Sequence, residues 1–207
     1  VIKFVVFVCG ALVMSYEILG SRVLAPDFGS SVFVWGSLIS VFLGGLSCGY
    51  YLGGKVADVR PSTKKLGVII LVPAGMFLAF PLYGTAVADW IFVKDLGIRL
   101  SPLLASLILF FPPAVLLGMV SPYTAKLMLC SLHTSGSTVG TLYALSTFGS
   151  IVGTLFTSFY LITVAGVTRL IMGQGVVLLA ITIPLIFMKL SCPVAEPDSP
   201  PPQGERP

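Results

Sequence analysis

Charge is scarce in this chain of 207 residues. It carries 12 Lys and Arg, 8 Asp and Glu and a single His, so that only 10% of its side chains are charged. A water-soluble domain needs about a quarter. That deficit excludes a secreted disulfide scaffold, a disordered chain and a nucleic-acid binder, and no nucleic-acid partner is expected. Clustered metal ligands are missing too: His133 stands alone and the four cysteines (Cys9, Cys48, Cys130, Cys192) are far apart with no C-x-x-C spacing. No metal site is expected, and the cysteines read as free, apolar filler. No activated Ser or Cys constellation accompanies His133, which falls in a polar loop, so no catalytic residue and no cofactor is assigned to this chain.

What the chain has in abundance is apolar sequence, 56% of residues, with a mean hydropathy of +1.02. A helix crossing the hydrocarbon needs about 20 mainly apolar residues. Six segments qualify: Phe4–Leu24, Val32–Gly53, Leu66–Phe92, Pro102–Leu129, Val139–Val164 and Leu170–Met188. They are long unbroken runs rather than the short alternating strands of a barrel. The expectation is an all-α, polytopic membrane protein, a bundle of six transmembrane helices over residues 1–190. A proline-rich tail, 191–207, follows as a flexible extension.

Turn chemistry separates the spans. Ala25-Pro26-Asp27-Phe28-Gly29 and Arg60-Pro61-Ser62-Thr63 read as loops, and Pro102 suits a first helical turn. Pro73, Pro81, Pro112, Pro113 and Pro184 fall inside spans, where they kink a helix unless neighbours satisfy the carbonyls they free. Lys3, Lys55, Arg60, Lys64, Lys65, Lys126, Lys189 and Arg206 gather at one set of span ends, against Arg22, Lys94, Arg99 and Arg169 at the other. Positive-inside reasoning then puts both termini in the cytoplasm.

Lipid tails are as apolar as leucine, so helices associate through close packing and polar contacts. Gly45-x3-Gly49-x3-Gly53 in the second span and Gly149-x3-Gly153 in the fifth are the expected close-packing seams. A homodimer seam or a substrate path remains an alternative use of the same stripes. Glu17 lies about 21 Å along the first helix from Lys3, far from water, and is expected to face the bundle with a partner from another helix or to be protonated. Arg22 is about 140° around the helix from it. Glu17, Arg22, Trp35 and Asp89 form the candidate polar or ligand site, opening to the side away from the termini. The competing reading of that level is an interfacial belt that includes Lys94, Arg99 and Arg169.

Two motif sets carry a resemblance. Gly54-Lys55-Val56-Ala57-Asp58-Val59-Arg60, followed by Lys64-Lys65, resembles the loop between helices two and three of the major facilitator transporters, with Gly54, Asp58 and Arg60 as the latch. Pro61-Ser62 departs from that pattern. Glu17-x4-Arg22-x-Leu24-Ala25-Pro26-x2-Gly29, Trp35 and Gly49-Tyr50-Tyr51-x-Gly53-Gly54 are similar to the membrane part of the fused facilitator-like and spermidine-synthase-like family. So are Leu117-Gly118-Met119-Val120-Ser121-Pro122 and the run from Gly140 to Thr154.

The resemblance implies half of a facilitator-type bundle in a bacterial inner membrane. In that family a cytoplasmic aminopropyltransferase-like domain follows the helices. Here only 18 residues follow Lys189, with no strand–Gly-rich turn–helix unit. The catalytic part is then absent, cut away, or supplied by a separate cytoplasmic aminopropyltransferase-like polypeptide. The expected partners are the lipid bilayer and other membrane subunits or a second copy. The expected role is a membrane subunit or anchor of a larger complex. A polyamine or small-molecule transporter acting as a dimer, and the membrane subunit of an aminopropyltransferase-like enzyme, are the alternatives.

Overall fold

Six long helices carry the chain back and forth. A computed structural model describes residues 1–59, 61–94, 96–131 and 136–187. Arg60, Asp95, His133, Cys192 and the 191–207 tail lie outside the described residues. The helices are α1 (Ile2–Phe28), α2 (Val32–Asp58), α3 (Thr63–Val93), α4 (Gly97–Ser131), α5 (Gly136–Val164) and α6 (Val167–Phe187). α5 contains one turn of π-helix, Thr157–Leu161. Each is long and apolar enough to cross a bilayer. The protein is an all-α, six-helix integral membrane bundle.

The helices overrun several expected boundaries. α1 continues through Pro26 to Phe28, so the first loop is only Gly29–Ser31. Gly29 turns the chain at φ 72°, a conformation that glycine adopts without steric cost. α4 starts at Gly97, itself at φ 86°, which puts Pro102 in the second turn rather than the first. α3 and α4 run as continuous helices through Pro73, Pro81, Pro112 and Pro113. The carbonyl of Leu109, which the missing N–H of Pro113 would leave without a partner, accepts the Tyr16 hydroxyl at 3.2 Å. Tyr16 is fully buried and its ring packs on Phe77, Phe110 and Phe42, at centroid distances of 4.4, 5.3 and 5.7 Å. One side chain thus ties α1 to α2, α3 and α4 and mends a proline break.

Two parallel seams hold the bundle. In the first, α2 lies on α4: a Cβ on Gly49 would strike the Val115 carbonyl, one on Gly53 the Met119 carbonyl, and one on Gly118 would come within 3.0 Å of the Leu46 carbonyl. In the second, α5 lies on α1: Gly149 meets the Phe7 carbonyl, Gly153 that of Ala11, and Gly10 that of Ser146. The two seams share one register. An offset of 100 residues carries Leu46, Gly49 and Gly53 to Ser146, Gly149 and Gly153, while 108 carries Phe7, Gly10 and Ala11 to Val115, Gly118 and Met119.

Most of the remaining pairings obey the same exchange of α1 for α4, α2 for α5 and α3 for α6; α1–α3, with no comparable α4–α6 pairing, does not. α3 packs on α6, α1–α2 is matched by α4–α5, and α3–α4 by α1–α6. Because successive spans alternate in direction, α1 and α4 run opposite ways. The fold is therefore an inverted repeat of three helices, with a pseudo-twofold axis in the membrane plane.

Candidate functional site

The glycine seams bring α1, α2, α4 and α5 together at the pseudo-twofold. Between them lies a cavity of about 170 Å³ lined by two of the equivalent pairs, Gly10 with Gly118 and Leu46 with Ser146, and by Tyr50 and Tyr143. Ser121, Thr147 and Ser150 add hydroxyls. Ser150 Oγ donates to the carbonyls of Gly10 and Ser146, both at 3.1 Å, which joins α5 to α1 by polar contacts. Glycine makes this site twice over: it lets the backbones touch, and it leaves room for hydroxyl and phenol groups among the apolar walls of Cys9, Val13, Met14, Leu46 and Leu117.

Glu17 continues the stripe of α1 that lines this cavity, following Val13 and Met14 at helical spacing. It is partly buried, within the span. The partner expected from another helix is not there: among the described residues Glu17 makes no ion pair. Arg22 and Trp35 come together elsewhere, at the far end of α1 and the start of α2. They line a cavity of about 260 Å³ with Ser21, Ala25, Ser30 and Val34. Neither Glu17 nor Asp89 lines that cavity, and Asp89 is exposed on α3. The four residues form no single site. Lys94 and Arg99 lie over the rings of Trp90 and Phe33, an arrangement suited to an interfacial belt.

At the end that holds the amino terminus, Asp58 of α2 pairs with Lys126 of α4, Oδ1 to Nζ 2.8 Å, and both side chains are largely exposed. The Ser62 N–H donates to Tyr123 Oη at 2.9 Å, and that hydroxyl lies 3.2 Å from the Ser62 carbonyl, to which it donates. Ser62 Oγ caps α3 by accepting from the Lys65 N–H, and Lys65 Nζ donates to the Val59 carbonyl at 2.7 Å. Among the described residues, Tyr123 and Lys126 thus clamp the α2–α3 connection to α4. A Cβ on Gly54 would meet nothing within 4 Å, so Gly54 serves no close approach here.

Sequence reasoning passed over Tyr123 because an aromatic near a span end is indistinguishable from a belt residue. It also passed over Ser15, Thr157 and Gln174, which meet between α1, α5 and α6. Gln174 was the visible signal, the lone amide in its apolar span. Comparison with known protein families, with characterised proteins and with solved structures finds no match.

Proposed function

We propose that this chain is a membrane module of a larger assembly, one half of a transporter-like path that a second unit completes. The observation that carries this reading is the hydroxyl- and phenol-lined cavity at the repeat interface, with Glu17 on the same stripe of α1. Transporters built from inverted repeats hold their substrate near the midplane at such an interface. Hydrocarbon is a poor solvent for a carboxyl and a row of hydroxyls, so another protein surface covers this face more favourably than lipid does. The motifs around Gly54–Arg60 and Gly140–Thr154 support the same reading through their resemblance to facilitator-type helices.

The second unit is another copy or another membrane subunit. The mass of the particle extracted in mild detergent tests this. A stable particle containing two or more six-helix units is expected, and a lone chain that stays intact and functional would refute it. A cation such as a polyamine is the substrate favoured by Glu17, because a carboxyl in the span attracts positive charge and Tyr50 and Tyr143 offer ring faces. Labelling of Glu17 by a lipid-soluble carbodiimide should then be slowed by spermidine. Unchanged labelling would remove the cation reading.

Orientation belongs to the same proposal. Lys3, Lys55, Lys64, Lys65 and Lys126 are exposed at the end that holds the amino terminus. That excess supports cytoplasmic termini in an inner membrane. Impermeant labelling of single cysteines at Ser62 and Gly29 decides it: only the Gly29 position should react from outside.

A further inference from the structure

Ser15 of α1, Thr157 of α5 and Gln174 of α6 form a buried polar triad. Ser15 Oγ lies 2.6 Å from Thr157 Oγ1, and Gln174 Nε2 donates to Ser15 Oγ at 2.6 Å. Gln174 is 5% exposed, yet its Oε1 is buried with no hydrogen-bond partner. Thr157 opens the π-helical turn, a rare local geometry that recurs at functional sites.

Beside the triad runs a groove of about 370 Å³, bounded by Leu12, Phe156, Leu161, Leu170 and Val177 and entered past Arg169. Its size falls in the small-molecule range of about 300–1,000 Å³. Phe156, Gly173 and Val177 are exposed along it, so it opens sideways toward hydrocarbon. Arg169 stands in the first turn of α6, exposed and in no ion pair among the described residues. Gln174 is five residues deeper, about 7.5 Å by helix rise and about 140° around the helix, so the two flank the groove from either side of its α6 wall. Two glycines of α6 differ in use. Gly175 packs against the Ala74 carbonyl and Leu78 of α3, whereas a Cβ on Gly173 would meet nothing within 4 Å. Gly173 keeps the groove wide rather than the helices close.

We infer that this groove binds a single-chain acidic amphiphile drawn from the surrounding lipid. Its acid head pairs with Arg169, a hydroxyl or amide N–H beside the head donates to Gln174 Oε1 as the amide turns out into the groove, and its chain lies against Leu12, Phe156 and Val177. A plain acyl chain would leave the amide oxygen unpaired, and a neutral head would leave Arg169 without its counter-charge.

Native mass spectrometry of the full chain in mild detergent tests this with three probes, each kept below its micelle concentration. Oleoyl lysophosphatidic acid has both the acid and the hydroxyl, oleate lacks the hydroxyl, and oleoyl lysophosphatidylcholine lacks the net charge. One saturable equivalent of the first is expected, held at least about tenfold more tightly than the other two. Arg169→Gln should weaken both acids about tenfold. Gln174→Met should weaken lysophosphatidic acid and leave oleate unchanged. Gly173→Leu, whose Cβ meets nothing within 4 Å and whose isobutyl group takes up the groove, should abolish binding and keep the elution profile of the parent. Equal binding of all three probes, or undiminished binding of lysophosphatidic acid by Gly173→Leu or by a folded Gln174→Met, would overturn the assignment.

Discussion

The two glycine seams share a backbone register and differ in everything their side chains add. Short of the exposed Asp58–Lys126 pair at its end, the α2–α4 seam is apolar: Val34, Leu38, Val41 and Phe42 of α2 are buried, Phe42 stacks on Phe110, and a third glycine, Gly45, meets Ala114. The α1–α5 seam is held by few buried residues. Only 17% of the most apolar stretch of α5 is buried, against 39% for α2. Polar contacts take their place: Ser150 to the Gly10 carbonyl, and Ser15 to Thr157 and Gln174. One seam is scaffold. The other carries polar groups and an open outer face, which stabilise it less.

That contrast can be broken most sharply at the paired glycines. Gly49→Val should cost about 3 kcal/mol, because its Cβ meets the backbone of both Val115 and Gly118 in the most extensive helix pairing of the bundle. Gly149→Val should cost less, about 1–2 kcal/mol, since α5 can slide outward. Thermal unfolding in detergent measures both, and the reverse order would show that the seams are not scaffold and site. Next in size is Ser15→Ala, expected to cost about 1 kcal/mol by taking the acceptor from Gln174 Nε2. Gln174→Met should be neutral or slightly stabilising when no ligand is present, because it removes the unpaired Oε1. A clear loss of stability there would mean that the amide serves packing alone. The smallest effect belongs to Asp58→Asn, below about 1 kcal/mol, because the pair with Lys126 is exposed. A larger loss would make the clamp at that end a main support of the α2–α4 seam.

The spans themselves were plain in the sequence, since a run of apolar residues has few other ways to hide its backbone polar groups in lipid. Their ends were less so. Pro26 read as a loop residue, yet α1 carries it to Phe28, and Pro102 sits a turn deeper than its chemistry suggests. Glycine spacing pointed to Gly49, Gly53, Gly149 and Gly153 as close-packing positions. It could not say which helix each would meet, because the spacing describes one surface and a seam needs two. For the polar residues the limit was sharper. By sequence Glu17, Arg22, Trp35 and Asp89 are expected at one depth in the membrane, but depth is one coordinate of three, and of the four only Arg22 and Trp35 line a common cavity.

Composition and periodicity alone determined that this protein is a bundle of six membrane helices. The hydrocarbon core imposes that on any sequence so poor in charge, and the requirement is local to each span. Only the folded arrangement decided that the six are two inverted sets of three. The same arrangement put Tyr16 where it mends the break at Pro113 and left an amide oxygen of Gln174 facing nothing. Those facts depend on contacts between residues about a hundred positions apart, and no property of either partner in isolation encodes them.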